Sequence, residues 1–288
     1  MKTAVLFPGQ GSQTPEMRDT VAARRPDLLE LALEVVGDDP FERVDDGTRF
    51  AQPAIYCASV VAWERLAETG LQADVVAGHS LGEVAALVAA GVLNAEDGLR
   101  LVATRGRLMQ ESGERRGDGS MLALLGTGAA ERAAQVAEPH GLTVANDNAP
   151  NQVVLSGSRA AFEAATVTAK GLGLRAVPLP VTGAFHSPYM AEAVGEFEAA
   201  LAAIEFAAPK IAAVSSITTE PFGDDVAARL ADALTRPVRW RETLVALHAD
   251  GVTRFVETGP GKVLTGLVRR TVSDVEALTA EQLEAASA

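Results

Sequence analysis

Asp74-Val75-Val76-Ala77-Gly78-His79-Ser80-Leu81-Gly82-Glu83 runs from a short apolar strand into a glycine-flanked serine, and Val84, Leu87, Val88 and Gly91 continue it as a helix. Gly-x-Ser-x-Gly between a strand and a helix is the nucleophile-elbow arrangement. Small flanking residues permit the tight turn that projects the hydroxyl, and the helix N-terminus supplies backbone N–H groups. The stretch predicts an α/β chain whose Ser80 forms a covalent ester with an acyl group. A glycine-serine turn without chemistry uses the same five letters, so the reading rests on the strand before it and the helix after it.

Upstream, Thr3 to Phe7 reads as a buried strand stopped by Pro8-Gly9, and Gly9-Gln10-Gly11-Ser12-Gln13 as a loop rich in backbone donors. A helical region follows, with helical spacing from Ala54 to Ala67. Downstream, Asn94 with Glu96 and Asp97 starts a helix that runs to about Gly113. The next elements are a strand (121–125), a helix (129–137), strands (142–145 and 153–156), a helix (160–170) and a strand (174–179). That βαββαβ order is the split ferredoxin-like pattern. The expected architecture is therefore a large α/β-hydrolase-like domain, residues 1–118 and 182–288, with a small ferredoxin-like domain inserted at 119–181. Its second half carries a helix (190–204), a strand (211–214), further helices through Leu234 and Leu247, a strand (253–257), the turn Gly259-Pro260-Gly261 and a last helix. The Ala/Glu-rich tail after Val272 is expected to fray.

The 288 residues, 48% of them hydrophobic, suffice for one substantial core. Cys57 is the only cysteine, so no intrachain disulfide can form. Ala4 to Phe7 is too short for a secretory core, and no apolar run is long enough to span a bilayer, which gives the expectation of a cytoplasmic protein without membrane contact. The net charge of -13 argues against nucleic-acid binding. No residue cluster suggests a metal or a permanently bound cofactor.

A serine needs a base near neutral pH, and histidine is the usual one. Of the four histidines, His79 adjoins Ser80 and should point away from it, His140 follows Pro139 in a surface turn, and His248 lies late in a helix. His186, in Val181-Thr182-Gly183-Ala184-Phe185-His186-Ser187-Pro188, falls just after the last strand of the inserted domain, at a natural cleft wall. No acid between Ser80 and His186 stands out as its partner, so a Ser-His dyad is expected, the imidazole held by a main-chain carbonyl or an amide. Arg105 shares a helix face with Gly98, Leu101, Val102, Leu108 and Met109. An inward guanidinium needs an internal salt bridge or a carboxylate brought by the substrate, and the spacing leaves both open.

Together these residues resemble the malonyl-CoA:acyl carrier protein transacylases and the acyltransferases of polyketide synthases, including trans-acting ones. The match runs through Phe7-Pro8-Gly9-Gln10-Gly11-Ser12-Gln13, Gln52-Pro53-Ala54, Gly78 to Glu83, Arg105 to Gln110, Asn148 to Val154, Gly183 to Ser187, Pro237-Val238-Arg239-Trp240 and Glu257 to Leu264. The resemblance implies a ping-pong transfer of malonyl from coenzyme A, through an ester on Ser80, to the phosphopantetheine thiol of an acyl carrier protein, in fatty-acid or polyketide synthesis. His186 would be the base, backbone N–H groups of Gln10 and Leu81 the oxyanion hole, and Arg105 the carboxylate grip. Phe185, Met109, Gln52, Asn148 and Arg239 would line or support the acyl pocket. The Arg239 carbonyl would meet the second nitrogen of His186, and its side chain would be idle or touch a phosphate or the carrier. Phe185 before the histidine, and Leu81 after the serine, fit malonyl rather than methylmalonyl. Family members are mostly monomeric. Two alternatives share the fold: an acyl hydrolase that clears carriers, which would usually lack the arginine, and the transferase subunit of a malonate decarboxylase.

Overall fold

The computed structural model describes residues 1–287. Its strands are β1 (Lys2–Phe7), β2 (Val75–Gly78), β3 (Gly119–Leu125), β4 (Thr143–Ala149), β5 (Gln152–Ser158), β6 (Arg175–Pro178), β7 (Ala212–Val214), β8 (Val252–Glu257) and β9 (Glu276–Thr279). The helices are α1 (Met17–Arg24), α2 (Pro26–Val36), α3 (Thr48–Glu68), α4 (Gly82–Ala89), α5 (Ala95–Arg116), α6 (Ala129–Ala137), α7 (Phe162–Gly171), α8 (Ala191–Leu201), α9 (Val226–Asp232), α10 (Trp240–Ala249), α11 (Val263–Thr271) and α12 (Ala280–Ser287). Two sheets organise them: a parallel one in the order β7-β2-β1-β8-β9 and an antiparallel one in the order β4-β5-β3-β6.

Strand β1 lies between β2 and β8, and its side chains face two cores, Val5 and Phe7 one of them and Ala4 and Leu6 the other, which is why Ala4 to Phe7 is an unbroken apolar run. In-register pairing of Phe7 with Gly78 brings the carboxyl ends of β1 and β2 side by side. The Gly9–Gln13 loop and the serine turn therefore leave the sheet at one edge, where open parallel α/β sheets place their ligand sites.

Two helices carry the other half of the site. Asn94 caps α5 as expected, its side chain accepting the Asp97 N–H at 2.7 Å. Helix α3 begins at Thr48, well before Ala54, and keeps Pro53 in its interior. A Cβ at Gly106 would stand 2.7 Å from the Thr48 carbonyl oxygen, so the glycine lets α5 press against the start of α3. That contact sets Gln52 beside Arg105.

Strands β3, β4, β5 and β6 with α6 and α7 follow the expected βαββαβ order, and β4 extends to Ala149, beyond the expected 145. The tail corrects an expectation: residues 276–279 form β9, parallel to β8, and α12 follows. Burial of Ala277 and Ala280 holds it, and Arg254 pairs with Glu276 across the strands. Glu257, at the end of β8, caps α11 by accepting the N–H groups of Leu264 (2.9 Å) and Thr265 (2.7 Å). Among the described residues, no helix is long and apolar enough to cross a membrane, and no group of three or more His, Cys, Asp or Glu side chains could hold a metal ion.

Candidate active site

Between the carboxyl edge of the parallel sheet and the inner face of the antiparallel one lies a cavity of about 320 Å³. Ser80, His186, Gln10, Leu81, Arg105, Gln52, Met109, Phe185 and Asn148 all line it. Arg239 does not.

Ser80 sits at φ 55°, in the left-handed region, which presents its side chain from a sharp strand-to-helix turn. The flanking glycines are sterically required. A Cβ at Gly78 would lie 2.0 Å from the Gly82 carbonyl carbon, and one at Gly82 would lie 2.2 Å from the Phe7 carbonyl oxygen. Among the described residues, no main-chain carbonyl takes the N–H of Gln10 or of Leu81.

His186 has φ 54°, so the base and the serine both occupy backbone wells that side chains disfavour. The loop around it is fastened by Ser156 Oγ donating to the Phe185 carbonyl (2.7 Å) and Ser187 Oγ to that of Ala184 (2.6 Å). Its Nδ1 faces the carbonyl oxygens of Ala233 at 2.8 Å and Arg236 at 3.2 Å. Carbonyls only accept, so Nδ1 carries the hydrogen and Nε2 keeps its lone pair. Nε2 lies 2.8 Å from Ser80 Oγ and accepts the hydroxyl proton.

The carbonyl expected of Arg239 is thus supplied by two other residues. Arg239 precedes α10, and its carbonyl accepts the Thr243 N–H and Oγ1, both at 2.9 Å. The Ala233 carbonyl is available because position 237, which would donate to it in a continuing helix, is proline and has no N–H. The Arg239 side chain is engaged too, pairing with Glu242 and donating to the Thr218 carbonyl at 3.2 Å.

Arg105 is 3% exposed. Its Nη1 donates to Gln52 Oε1 at 2.8 Å and its Nη2 to Ser80 Oγ at 3.2 Å. Gln52 is held by Nε2 donating to Thr48 Oγ1 at 2.8 Å and touching Met109 Sδ at 3.3 Å. No carboxylate lies within 4 Å of the guanidinium among the described residues, so the internal salt bridge left open by the helix spacing is not made. Burial lowers Arg105 to about 10, still charged at neutral pH, and the more distant Glu83 opposes that fall. Burial, then the positive charge of Arg105, pushes His186 down to about 3, so the imidazole is neutral at pH 7 and its Nε2 lone pair is free.

The remaining histidines play local parts. His79 Nε2 lies 2.8 Å from Asn148 Oδ1, and its ring meets Trp240 edge-on at 5.4 Å. His140 bonds Thr168 Oγ1 and His248 the Val252 carbonyl. Sequence reasoning missed Glu83, a buried carboxylate one turn below Ser80. An acid in the first turn of a helix reads as ordinary, and only its burial sets it apart.

The site pairs a serine, held in a strained turn against a neutral imidazole, with a buried cation that, among the described residues, no carboxylate contacts. Residues 31–286 match the acyl transferase domain model. The chain belongs to the acyl transferase family. It is 42% identical over 280 residues to the polyketide biosynthesis protein ThaF of Burkholderia thailandensis, covering 93% of this chain but only 24% of ThaF. To the polyketide biosynthesis malonyl CoA-acyl carrier protein transacylase BaeC of Bacillus velezensis it is 39% identical, with 94% of this chain and 97% of BaeC covered. Among solved structures, the malonyl-transacylase PlMCAT, in complex with the type II polyketide synthase acyl-carrier protein AntF, superposes with a TM-score of 0.84 at 35% identity, covering 97% of this chain and 94% of that one.

Proposed function

We propose that the chain is a malonyl-CoA:acyl carrier protein transacylase that supplies malonyl units for fatty-acid or polyketide synthesis. The observation that carries this reading is Arg105, a buried guanidinium in contact with no carboxylate among the described residues and donating to the Oγ of the nucleophile. It is positioned to pair with a carboxylate on the acyl group itself. A hydrolase acting on neutral acyl chains has no use for it.

His186 Nε2 takes the Ser80 proton as Oγ attacks the thioester carbonyl. The negative charge on the carbonyl oxygen falls to the N–H groups of Gln10 and Leu81, each such donor being worth about 3 kcal/mol. Collapse breaks the carbon–sulfur bond, and the imidazolium returns its proton to the coenzyme A thiolate. In the second half, the phosphopantetheine thiol of the carrier gives its proton to His186, attacks the ester, and Ser80 recovers a proton as it leaves. Gln52 and Met109 keep the guanidinium in place, Asn148 fixes His79 beneath the elbow, and Phe185 occupies space beside the C2 of malonyl, favouring it over methylmalonyl.

The antiparallel unit, residues 119–181, reads as a ferredoxin-like insertion in an α/β-hydrolase-like domain formed by 1–118 and 182–288. We read the enzyme as a monomer, since the site is complete without a second chain, and as a cytoplasmic enzyme with no resident cofactor, in keeping with coenzyme A thioester chemistry.

The test is transfer from malonyl-CoA to a holo carrier protein, followed by intact mass. The carrier is expected to gain one malonyl group with wild-type enzyme and none with Ser80→Ala; transfer by the alanine variant, or none by wild type with any holo carrier tried, refutes the reading.

A further inference from the structure

Glu83 lies three residues past Ser80, in the first turn of α4, and is 1% exposed. A helix N-terminus favours an acid, but this side chain does not serve its own helix. It reaches across to the carboxyl end of β7, where one oxygen, Oε1, accepts the Ser216 N–H at 2.7 Å, Ser215 Oγ at 3.0 Å and Ser216 Oγ at 3.1 Å. The other oxygen, Oε2, is buried without a partner. Three donors converging on one atom mark a fixed attachment point.

From that point the hydrogen bonds continue. The Ser216 carbonyl accepts the Arg239 N–H at 2.7 Å. Arg239 follows the turn 233–236, whose Ala233 and Arg236 carbonyls hold His186 Nδ1. At its other end Glu83 is joined to the elbow by its own N–H, which donates to the Ser80 carbonyl at 3.0 Å. An unbroken path thus runs from the serine turn, through Glu83, to the segment that orients the base. Building on the Ser80–His186 reading above, we propose that Glu83 is a positioning residue that sets the separation and alignment of Ser80 and His186.

Glu83 has one rival role, a through-space counter-charge for Arg105, because each of the two groups opposes the burial-driven shift of the other. Two conservative variants separate reach from charge. Glu83→Gln keeps the reach and an accepting oxygen while losing the charge. Glu83→Asp keeps the charge but withdraws the carboxylate by about 1.5 Å, one carbon–carbon bond.

The readout is the rate at which a small fluorophosphonate labels Ser80, which needs the dyad but carries no malonyl carboxylate, alongside kcat and KM for malonyl-CoA. Positioning predicts Glu83→Gln within about twofold of wild type, and Glu83→Asp slowed by roughly tenfold to a hundredfold in both labelling and kcat with KM unchanged, the scale of a misplacement near 1 Å. An impaired glutamine variant, a fully active aspartate variant, or a change confined to KM overturns the proposal. Should Glu83→Asp not fold, Ser215→Ala with Ser216→Ala, which removes two of the three donors, is expected to slow labelling likewise, and unchanged labelling overturns it. Failure of the wild type to label at Ser80 would instead refute the dyad on which the inference rests.

Discussion

Replacing Arg105 with leucine keeps most of the buried volume and removes the cation. Of the five N–H donors of a guanidinium, two are used in the free enzyme, on Gln52 Oε1 and Ser80 Oγ, which leaves three for an incoming carboxylate. Charge-assisted hydrogen bonds each contribute about 1.5–3 kcal/mol, and stranding one member of a buried ion pair costs roughly 3–5 kcal/mol. At about 1.4 kcal/mol per tenfold, kcat/KM for malonyl-CoA should fall by roughly two to three and a half orders of magnitude. Acetyl-CoA brings no carboxylate, so its slow transfer should change far less. The fold should survive, since the relief of a desolvated guanidinium opposes the cost of orphaning the Gln52 oxygen, about 1–3 kcal/mol. The assay is the rate of Ser80 acylation by each thioester, read by intact mass under single-turnover conditions. Loss of both substrates by the same factor would refute the reasoning and make Arg105 structural.

The pH dependence follows from His186, whose proton affinity in the folded protein lies near 3 against an ordinary 6.5. A depressed histidine is neutral at every pH above the lower value, so Ser80 labelling by a fluorophosphonate should stay flat as pH falls through 6.5, and an acid limb there contradicts the buried, cation-opposed imidazole. In Arg105→Leu that limb should move upward, because one cause of the depression is gone. By linkage, the unfolded chain takes up this proton at 6.5 and the folded one does not, so the His186 contribution to stability is lost as pH falls from 6.5 toward 3. Phe185 is buried against the cavity with its carbonyl tied to Ser156. Phe185→Ser should reduce discrimination against methylmalonyl-CoA, measured as a ratio of kcat/KM, by roughly tenfold to a hundredfold, the scale set by one methyl group in a packed pocket; an unchanged ratio removes Phe185 from specificity.

What could be read from sequence was what a short stretch encodes by itself. Gly78 and Gly82 are demanded by atoms that a Cβ would strike, so the elbow was legible from five letters and their flanks. Arg105 stood out because it interrupted an apolar face, and His186 because it sat where the antiparallel unit returns to the parallel one. The rest depends on contacts between distant segments. Strand β9 is a four-residue edge strand whose partner, β8, lies about twenty residues earlier, and nothing local in Glu276–Thr279 announces it. The support of His186 by Ala233 and Arg236 comes from main-chain atoms, which carry no sequence signal except Pro237, whose missing N–H leaves the Ala233 carbonyl free. Helix α3 starts earlier than its spacing suggested because Pro53, which reads as a boundary, is tolerated within it. Glu83 looked like a solvated helix-start acid until the end of β7 closed over it.

The proposed mechanism requires a malonyl ester that forms on Ser80 and waits there for a thiol. Mixing the enzyme with malonyl-CoA without carrier, quenching, and mapping the added mass by peptide fragmentation tests it directly. One malonyl group is expected on the peptide containing Ser80, discharged when holo carrier is added and missing from Ser80→Ala. Malonyl found on any other residue, or carrier malonylated at full rate with no modified enzyme detected on the way, would contradict it.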